Sequence, residues 1–205
     1  MKTLVVIDVQ NDFMPGGTLA VPNGDKIVPV INRIQDKFDL VVASQDWHPQ
    51  NHVSFASNHD GKSTFDEIEV QGQKQTLWPD HCVQETEGAE FHTNLNTHSW
   101  ETIFRKGTDC NIDSYSAFYD NGHLKATGLT GYLKEKGASQ VFFCGLAADI
   151  CVYYSAMDAF KEGFACFFIE DASQALDGEA FEAQKKEMAH LGIQIITSDY
   201  FSEEI

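Results

Sequence analysis

The chain of 205 residues is 42% hydrophobic, which fits a single globular domain with a sizeable core. Its 31 acidic residues against 14 basic ones give a formal net charge of −17 at pH 7, which excludes nucleic acid and anionic membrane surfaces as partners. A small molecule is the partner class that remains, and the oligomeric state stays open.

The first ten residues, MKTLVVIDVQ, predict a buried parallel strand and not a targeting segment. The apolar run is short and meets an acid at Asp8, and no stretch of about 18 apolar residues occurs along the chain. The five cysteines form neither a CxxC pair nor a regular framework, which favours reduced thiols. Both features predict a cytoplasmic protein. The cysteines are Cys82, Cys110, Cys144, Cys151 and Cys166.

Strands and helices alternate along most of the remaining chain. The segment KIVPVINRIQDKF has apolar residues at helical spacing, and DLVVASQDWH follows it as a second buried strand. Further strands are predicted at ETIFRKG, SQVFFCGLAAD, FACFFIED and GIQIITS, and further helices at ATGLTGYLKEKG, DICVYYSAMDAFKEG and GEAFEAQKKEMAHLG. This order predicts an α/β fold: a doubly wound parallel sheet with helices on both faces, forming one domain over residues 1–205.

One long segment, from Trp47 to Trp100, interrupts the alternation. It is rich in Asn, His, Gly and Gln. Long irregular connections inside a compact domain are usually functional, so we expect loops here that build a site.

Charged and nucleophilic side chains stand where predicted strands end. Asp8 ends the first strand, Lys106 ends the third, and Cys151 follows the fourth at the start of a helix. Ligands of open parallel sheets bind beyond these strand ends, so we expect the three side chains to converge. The helix dipole and Lys106 would lower the pKa of Cys151, and Asp8 would act as a general base. The alternatives are a core cysteine, a capping acid and a solvated loop cation.

A second group of side chains suits a metal ion. Asp46 and His48 lie two residues apart at a strand end, which directs both side chains to the same side, and His81 in WPDHC offers a third ligand. One oxygen and two nitrogen donors with open positions suit Zn²⁺, Fe²⁺ or Mn²⁺. Cys82 would point away from His81 on an extended backbone and is assigned to packing. Two nearby histidines compete for the ligand role, and the second is expected to be a solvated loop residue: His52 and His59.

Five segments together resemble the nicotinamidases of the isochorismatase-like cysteine hydrolase family. The match covers nearly the whole domain in the expected order, and five motifs are far more specific than one. Ala148 departs from the pattern, because relatives often carry threonine there, which puts in doubt any hydrogen bond of that hydroxyl. The segments are VVIDVQNDFMPGGTLAV (5–21), VVASQDWHPQNHVSFASNH (41–59), LWPDHCVQETEGAEFH (77–92), FRKGTDCNIDSYSAF (104–118) and FCGLAADICVYYSAMDA (143–159).

The resemblance implies an amidohydrolase of NAD salvage that converts nicotinamide to nicotinate and ammonia, with pyrazinamide as an expected second substrate. It implies a triad of Asp8, Lys106 and Cys151, in which the cysteine forms a thioester. Backbone N–H groups of Ala147 and Cys151 would receive the oxyanion, next to a cis peptide between Leu146 and Ala147. Asp149 matches the family pattern, and we expect it to cap the helix that begins there.

The resemblance also implies that a divalent metal, zinc first and iron or manganese as alternatives, binds the pyridine nitrogen. Its ligands would be Asp46, His48 and His81. Phe13 and Trp78 would lie on either side of the ring, and Tyr115 would line the same pocket. The alternative for each of the three is an aromatic side chain packed in the core.

Two other functions stay open at this stage. A relative of the same fold, such as an isochorismatase or a carbamoyl amidohydrolase, would lack the full metal set. A non-catalytic binding protein of this fold would not need the intact Asp8, Lys106 and Cys151. A nucleotide-binding relative of the flavodoxin type is disfavoured, because no glycine-rich phosphate loop follows any strand.

Overall fold

A six-stranded parallel sheet forms the centre of the computed structural model, which describes residues 1–202. Its strands are β1 (Lys2–Ile7), β2 (Leu40–Asp46), β5 (Trp100–Lys106), β6 (Gln140–Leu146), β7 (Ala165–Gln174) and β8 (Gln194–Ile196). Every neighbouring pair in the sheet runs parallel, in the order β5-β2-β1-β6-β7-β8. A separate antiparallel hairpin consists of β3 (Glu67–Val70) and β4 (Gln73–Thr76).

The helices cover both faces of the sheet, which confirms the predicted α/β class. Alternate residues of β1 point to opposite faces. The helices are α1 (Val28–Ile34), α2 (Leu129–Glu135), α3 (Tyr153–Lys161) and α4 (Gly178–Leu191). Leu4 and Val6 belong to one buried cluster together with residues of α1, whereas Val5 and Ile7 belong to a second cluster together with residues of α2, α3 and α4.

Buried strands explain why the central apolar runs are continuous. Residues 3–7 of β1 and all seven residues of β2 are buried, as expected for strands that are covered on both faces. Within residues 1–202, no helix combines the length and the apolar content needed to cross a bilayer.

The segment between β2 and β5 contributes no strand to the central sheet. It contains the β3–β4 hairpin and two isolated bridges, His48 with Val83 and Phe55 with Trp78. A third bridge, between Gln10 and Phe91, ties this segment to the residues that follow β1.

Candidate active site and metal centre

The carboxyl ends of three adjacent strands place three charged side chains side by side. Asp46 and Lys106 are register partners at the ends of β2 and β5. Asp8 follows the last residue of β1 with a φ of 48°, a left-handed conformation that is uncommon for a residue other than glycine. The chain therefore leaves the sheet sharply at Asp8.

The ammonium group of Lys106 lies at the centre of the site. Its Nζ is 2.9 Å from Oδ2 of Asp8 and 3.0 Å from Oδ1 of Asp46. The same Nζ is 3.5 Å from Sγ of Cys151 and donates a hydrogen bond of 2.9 Å to the carbonyl of Ser114. The structure thus brings together the three residues that the strand-end rule predicted to converge, and all three are buried.

Burial controls the protonation of this group. Burial raises the pKa of Asp8 and outweighs the opposing effect of Lys106. Burial alone would lower the pKa of Lys106, but the Asp46 and Asp8 carboxylates raise it well above its usual value. Lys106 is therefore an ammonium ion.

The pKa of Cys151 is shifted opposite to the sequence-based expectation. Burial raises it well above the usual thiol value; Lys106 acts against this shift, and the carboxylates of Asp8 and Asp46 add to it. The helix end and the lysine do not compensate for the loss of solvent. Cys151 therefore rests as a thiol, and a base must remove its proton before it can attack.

The turn that carries Cys151 is tightly constrained. A cis peptide joins Leu146 to Ala147, as the family resemblance implied, and a π-helical turn over Ala148–Val152 leads into α3. Gly145 precedes this turn with a φ of 126°, and a Cβ built there would lie 2.0 Å from the carbonyl oxygen of Ile7. Only glycine allows β6 to approach β1 this closely, one residue before Asp8.

Asp46, His48 and His81 form a buried cluster whose donor atoms lie within 4.8 Å of one another. Oδ2 of Asp46 is 3.1 Å from Nε2 of His48 and 3.4 Å from Nε2 of His81. Nδ1 of His48 is 2.9 Å from the carbonyl of Gly107, and Nδ1 of His81 is 2.8 Å from that of Pro79. Because a carbonyl only accepts hydrogen bonds, both Nδ1 atoms carry protons.

This arrangement fits a divalent cation. With Nδ1 protonated, Nε2 of each imidazole faces the Asp46 carboxylate, a contact that requires a positive charge between the atoms, either a proton or a metal ion. Burial alone would lower the pKa of His48, but Asp46 raises it above its usual value and so favours that charge. The pKa of Asp46 lies well below its usual value, because His48 and Lys106 outweigh the effect of burial. Asp46 is therefore ionised, and the donor set of one oxygen and two nitrogens can hold a divalent metal.

Two polar residues after β1 orient this centre, and sequence reasoning did not identify them. Gln10 is fully buried; its Oε1 accepts from the N–H of Asp46 and its Nε2 donates to the carbonyl of Asp46, both at 2.8 Å. Asp12 accepts a hydrogen bond of 2.7 Å from the N–H of Cys82, the residue after His81. The alternating polar residues of DVQND, directly after a buried strand, were the available signal.

A further buried pair, His52 and Asp113, lies beside the metal cluster. The ring of His52 is 4.1 Å from that of His48, and its Nδ1 is 2.7 Å from Oγ of Ser54. Its Nε2 is buried and has no hydrogen-bond partner among residues 1–202. Together with His48, the pair forms a second group that could hold a cation. Burial lowers the pKa of His52 to about 4, so this histidine is neutral near pH 7.

Three local expectations need correction. Cys82 is buried in the core as expected, but its φ of 46° is left-handed and not extended. His59 is half-buried and not solvated, because its Nε2 lies 2.7 Å from the carbonyl of Val53. Asp149 does not cap its own helix: its two carboxylate oxygens accept from the N–H groups of Leu176 and Asp177, at 2.9 Å each.

The thiol and the metal cluster open into one cavity of about 330 Å³, a volume that includes its mouth. Trp78 packs edge-on against Tyr115 at 6.2 Å between ring centroids, and Phe13 lies 5.6 Å from the ring of His81. The three predicted aromatics therefore line a mostly apolar slot with charged groups at its base. The lining residues are Phe13, Leu19, Asp46, Trp78, His81, Lys106, Asp113, Ser114, Tyr115, Ala147, Ile150, Cys151 and Leu176.

Comparison with known proteins places this site in context. Residues 2–200 match the model of the isochorismatase domain. The chain is 48% identical to the nicotinamidase of Acinetobacter baylyi, over 95% of this chain and 92% of the relative. A structure from L. infantum in complex with nicotinate shares 38% identity, with a TM-score of 0.86 and coverage of 97% of this chain and 93% of the other. The pyrazinamidase of Pyrococcus horikoshii in complex with zinc shares 37% identity, with a TM-score of 0.79 and coverage of 96% and 98%.

Proposed function

The chain belongs to the isochorismatase family, and from this premise we propose that it is an amidohydrolase that converts nicotinamide and water to nicotinate and ammonia. The observation that carries the proposal is the position of Lys106. Its ammonium contacts Asp8, Asp46 and Cys151, so it joins a nucleophile and its base to a metal-binding cluster in one slot. The slot is bounded by flat aromatic side chains, which suit a single heteroaromatic ring.

Acylation begins with the proton of Cys151. Asp8 takes this proton, and Sγ forms a bond to the carboxamide carbon of the substrate. The raised pKa of Asp8 supports this role, because a carboxylate of ordinary acidity would be a weaker base. Backbone N–H groups of Ala147 and Cys151, both of which line the slot, receive the oxyanion. The C–N bond then breaks, and the proton on Asp8 leaves with ammonia.

Deacylation repeats the same steps with water. Asp8, again a carboxylate, takes a proton from a water molecule that attacks the thioester carbon, and this proton returns to the sulfur of Cys151 as nicotinic acid leaves; the acid then ionises to nicotinate in solvent. Lys106 remains an ammonium throughout and offsets the negative charge that moves between Asp8 and Cys151.

The chain's own residues fix the substrate ring. Phe13 and Trp78 lie against its two faces, and Tyr115 closes the side of the slot. A divalent metal held by Asp46, His48 and His81 would bind the pyridine nitrogen and so select heterocycles that carry one. We propose zinc as the resident ion, with iron or manganese as alternatives that the same donor set accepts. Pyrazinamide, whose ring also carries a nitrogen at this position, is the proposed second substrate.

Ammonia release from nicotinamide by the purified protein tests the proposal. We expect turnover by the parental protein, and a loss of at least about a thousandfold in Cys151→Ala, because the nucleophile is removed. Cys110→Ala serves as a matched control, since the half-buried Cys110 lies outside the cavity. Parental rates in Cys151→Ala would refute the mechanism, and turnover of isochorismate in place of nicotinamide would favour the other branch of the family.

A further inference from the structure

Phe65 has an unusual backbone and an exposed side chain. Its φ of 70° is left-handed, a genuine outlier for a bulky residue, and 65% of its surface is exposed. Hydrophobic burial therefore does not explain why phenylalanine stands in a conformation that glycine or asparagine would adopt more readily. Such outliers persist where the surrounding structure holds them, and they occur preferentially near functional sites.

Backbone hydrogen bonds hold Phe65 next to the substrate slot. The N–H of Phe65 donates to the carbonyl of Leu77 at 2.6 Å, and the N–H of Leu77 donates to the carbonyl of Asp66 at 2.8 Å. Leu77 directly precedes Trp78, which lines the slot. The left-handed turn directs the Phe65 ring at this tryptophan: the ring centroids are 6.1 Å apart and the planes meet at 88°.

The indole of Trp78 is therefore held between two edge contacts. The ring plane of Phe65 meets the indole at 88°, and that of Tyr115 meets it at 77°. The backbone of Trp78 is fixed independently, by hydrogen bonds with Ser54 and Ala56. Loss of the Phe65 ring would leave the backbone in place and free the indole to turn about its side-chain bonds.

We propose that Phe65 is a positioning residue for substrate binding, which holds the indole of Trp78 in the orientation that forms one wall of the slot. The inference rests on the proposed function. Phe65 does not line the slot itself, and it contacts none of Asp8, Lys106 and Cys151. Its effect is therefore on binding of the ring and not on the chemical steps.

Steady-state kinetics of Phe65→Gly on nicotinamide test this role. Glycine adopts the left-handed backbone freely, so we expect Tm to change by no more than about 4 °C. We expect KM to rise roughly two- to tenfold, the effect of losing one edge-to-face aromatic pair, with kcat within about twofold of the parental value. Phe65→Asn, which also tolerates this backbone, should give the same split, and Phe65→Tyr, which keeps the ring, should retain the parental KM.

Gln71→Gly is the matched control, because Gln71 has a φ of 52°, is exposed, and lies in the turn of the β3–β4 hairpin that begins two residues after Phe65. It should leave KM unchanged. An unchanged KM in both Phe65→Gly and Phe65→Asn would overturn the inference, and so would a fall in kcat with KM constant. Failure of the parental protein to release ammonia would instead refute the proposed function, and the positioning role would fall with it.

Discussion

Gly107 lies against His48 of the proposed metal centre and leaves room for it through its lack of a side chain, and Gly107→Ala tests this role. A Cβ built on Gly107 would lie 2.3 Å from Cε1 and 2.5 Å from Nδ1 of His48. Ordinary van der Waals contact begins near 3.4 Å, so the imidazole would have to move by about 1 Å. Gly107 also supplies the carbonyl that fixes the protonated Nδ1 of His48. The same substitution therefore displaces a ligand and disturbs the hydrogen bond that orients it.

The magnitude follows from how firmly His48 is held. Its ring packs against those of His52, Phe55 and His81, at centroid distances of 4.1, 5.4 and 4.9 Å, so it has little room to yield. Loss of a partner that orients a ligand typically lowers metal affinity by roughly 10- to 100-fold. Overpacking adds about 1–3 kcal/mol of destabilisation to the roughly 1–2 kcal/mol that alanine incurs at a positive φ.

Metal titration by calorimetry and thermal denaturation measure these two effects separately. Gly137→Ala is the matched control, because Gly137 has a φ of 76° but no atom within 4 Å of the added Cβ. It should lose only about 1 kcal/mol, or roughly 2–4 °C in Tm, and should keep its metal affinity. If Gly107→Ala binds zinc as tightly as Gly137→Ala does, the assignment of His48 as a ligand in this geometry is wrong.

Two further predictions concern buried charge. Lys106→Met leaves two buried carboxylates without their cation and should destabilise the fold by roughly 3–5 kcal/mol, or about 10 °C in Tm. The control variant Lys134→Met removes an exposed ammonium and should cost no more than about 1 kcal/mol. Equal losses of stability for the two variants in denaturation experiments would contradict this prediction. His52 has a folded pKa of about 4 against 6.5 when unfolded, so the unfolded chain binds the extra proton and stability should fall by up to roughly 3 kcal/mol as pH drops from about 6.5 to 4. His52→Gln should flatten this part of the stability profile, and an unchanged slope in this variant would contradict the assignment to His52.

The sequence predicted the sheet and the convergence of charged residues because both depend on local pattern. Continuous apolar runs marked the buried strands, and each run ended at a polar residue that the parallel sheet places at one edge. The positions of Asp8, Lys106 and Cys151 at or just after the ends of predicted strands were enough to predict that the three side chains converge.

Features that depend on contacts distant in sequence were missed or predicted in the wrong direction. The pKa of Cys151 was assigned from the helix end, a local effect, whereas burial by the whole fold dominates it. Gln10 reaches Asp46, 36 residues away, and Asp12 reaches Cys82, 70 residues away. No periodicity in the sequence links such partners. The capping role predicted for Asp149 was wrong for the same reason. Its hydrogen-bond donors lie 27 and 28 residues further along the chain, where local pattern gives no sign of them.

The short segment after β1 connects the two halves of the site. Asp8 forms an ion pair with Lys106 beside the proposed nucleophile, and Gln10 donates a hydrogen bond to the backbone of Asp46. Asp12 accepts a hydrogen bond from the backbone of the residue after His81, and Phe13 lines the slot. The segment turns sharply at Asp8, so these four side chains leave it in different directions and reach separate parts of the site. Because one short stretch of backbone carries all four side chains, a change in its path would shift the base of the proposed nucleophile and the supports of the proposed metal cluster together.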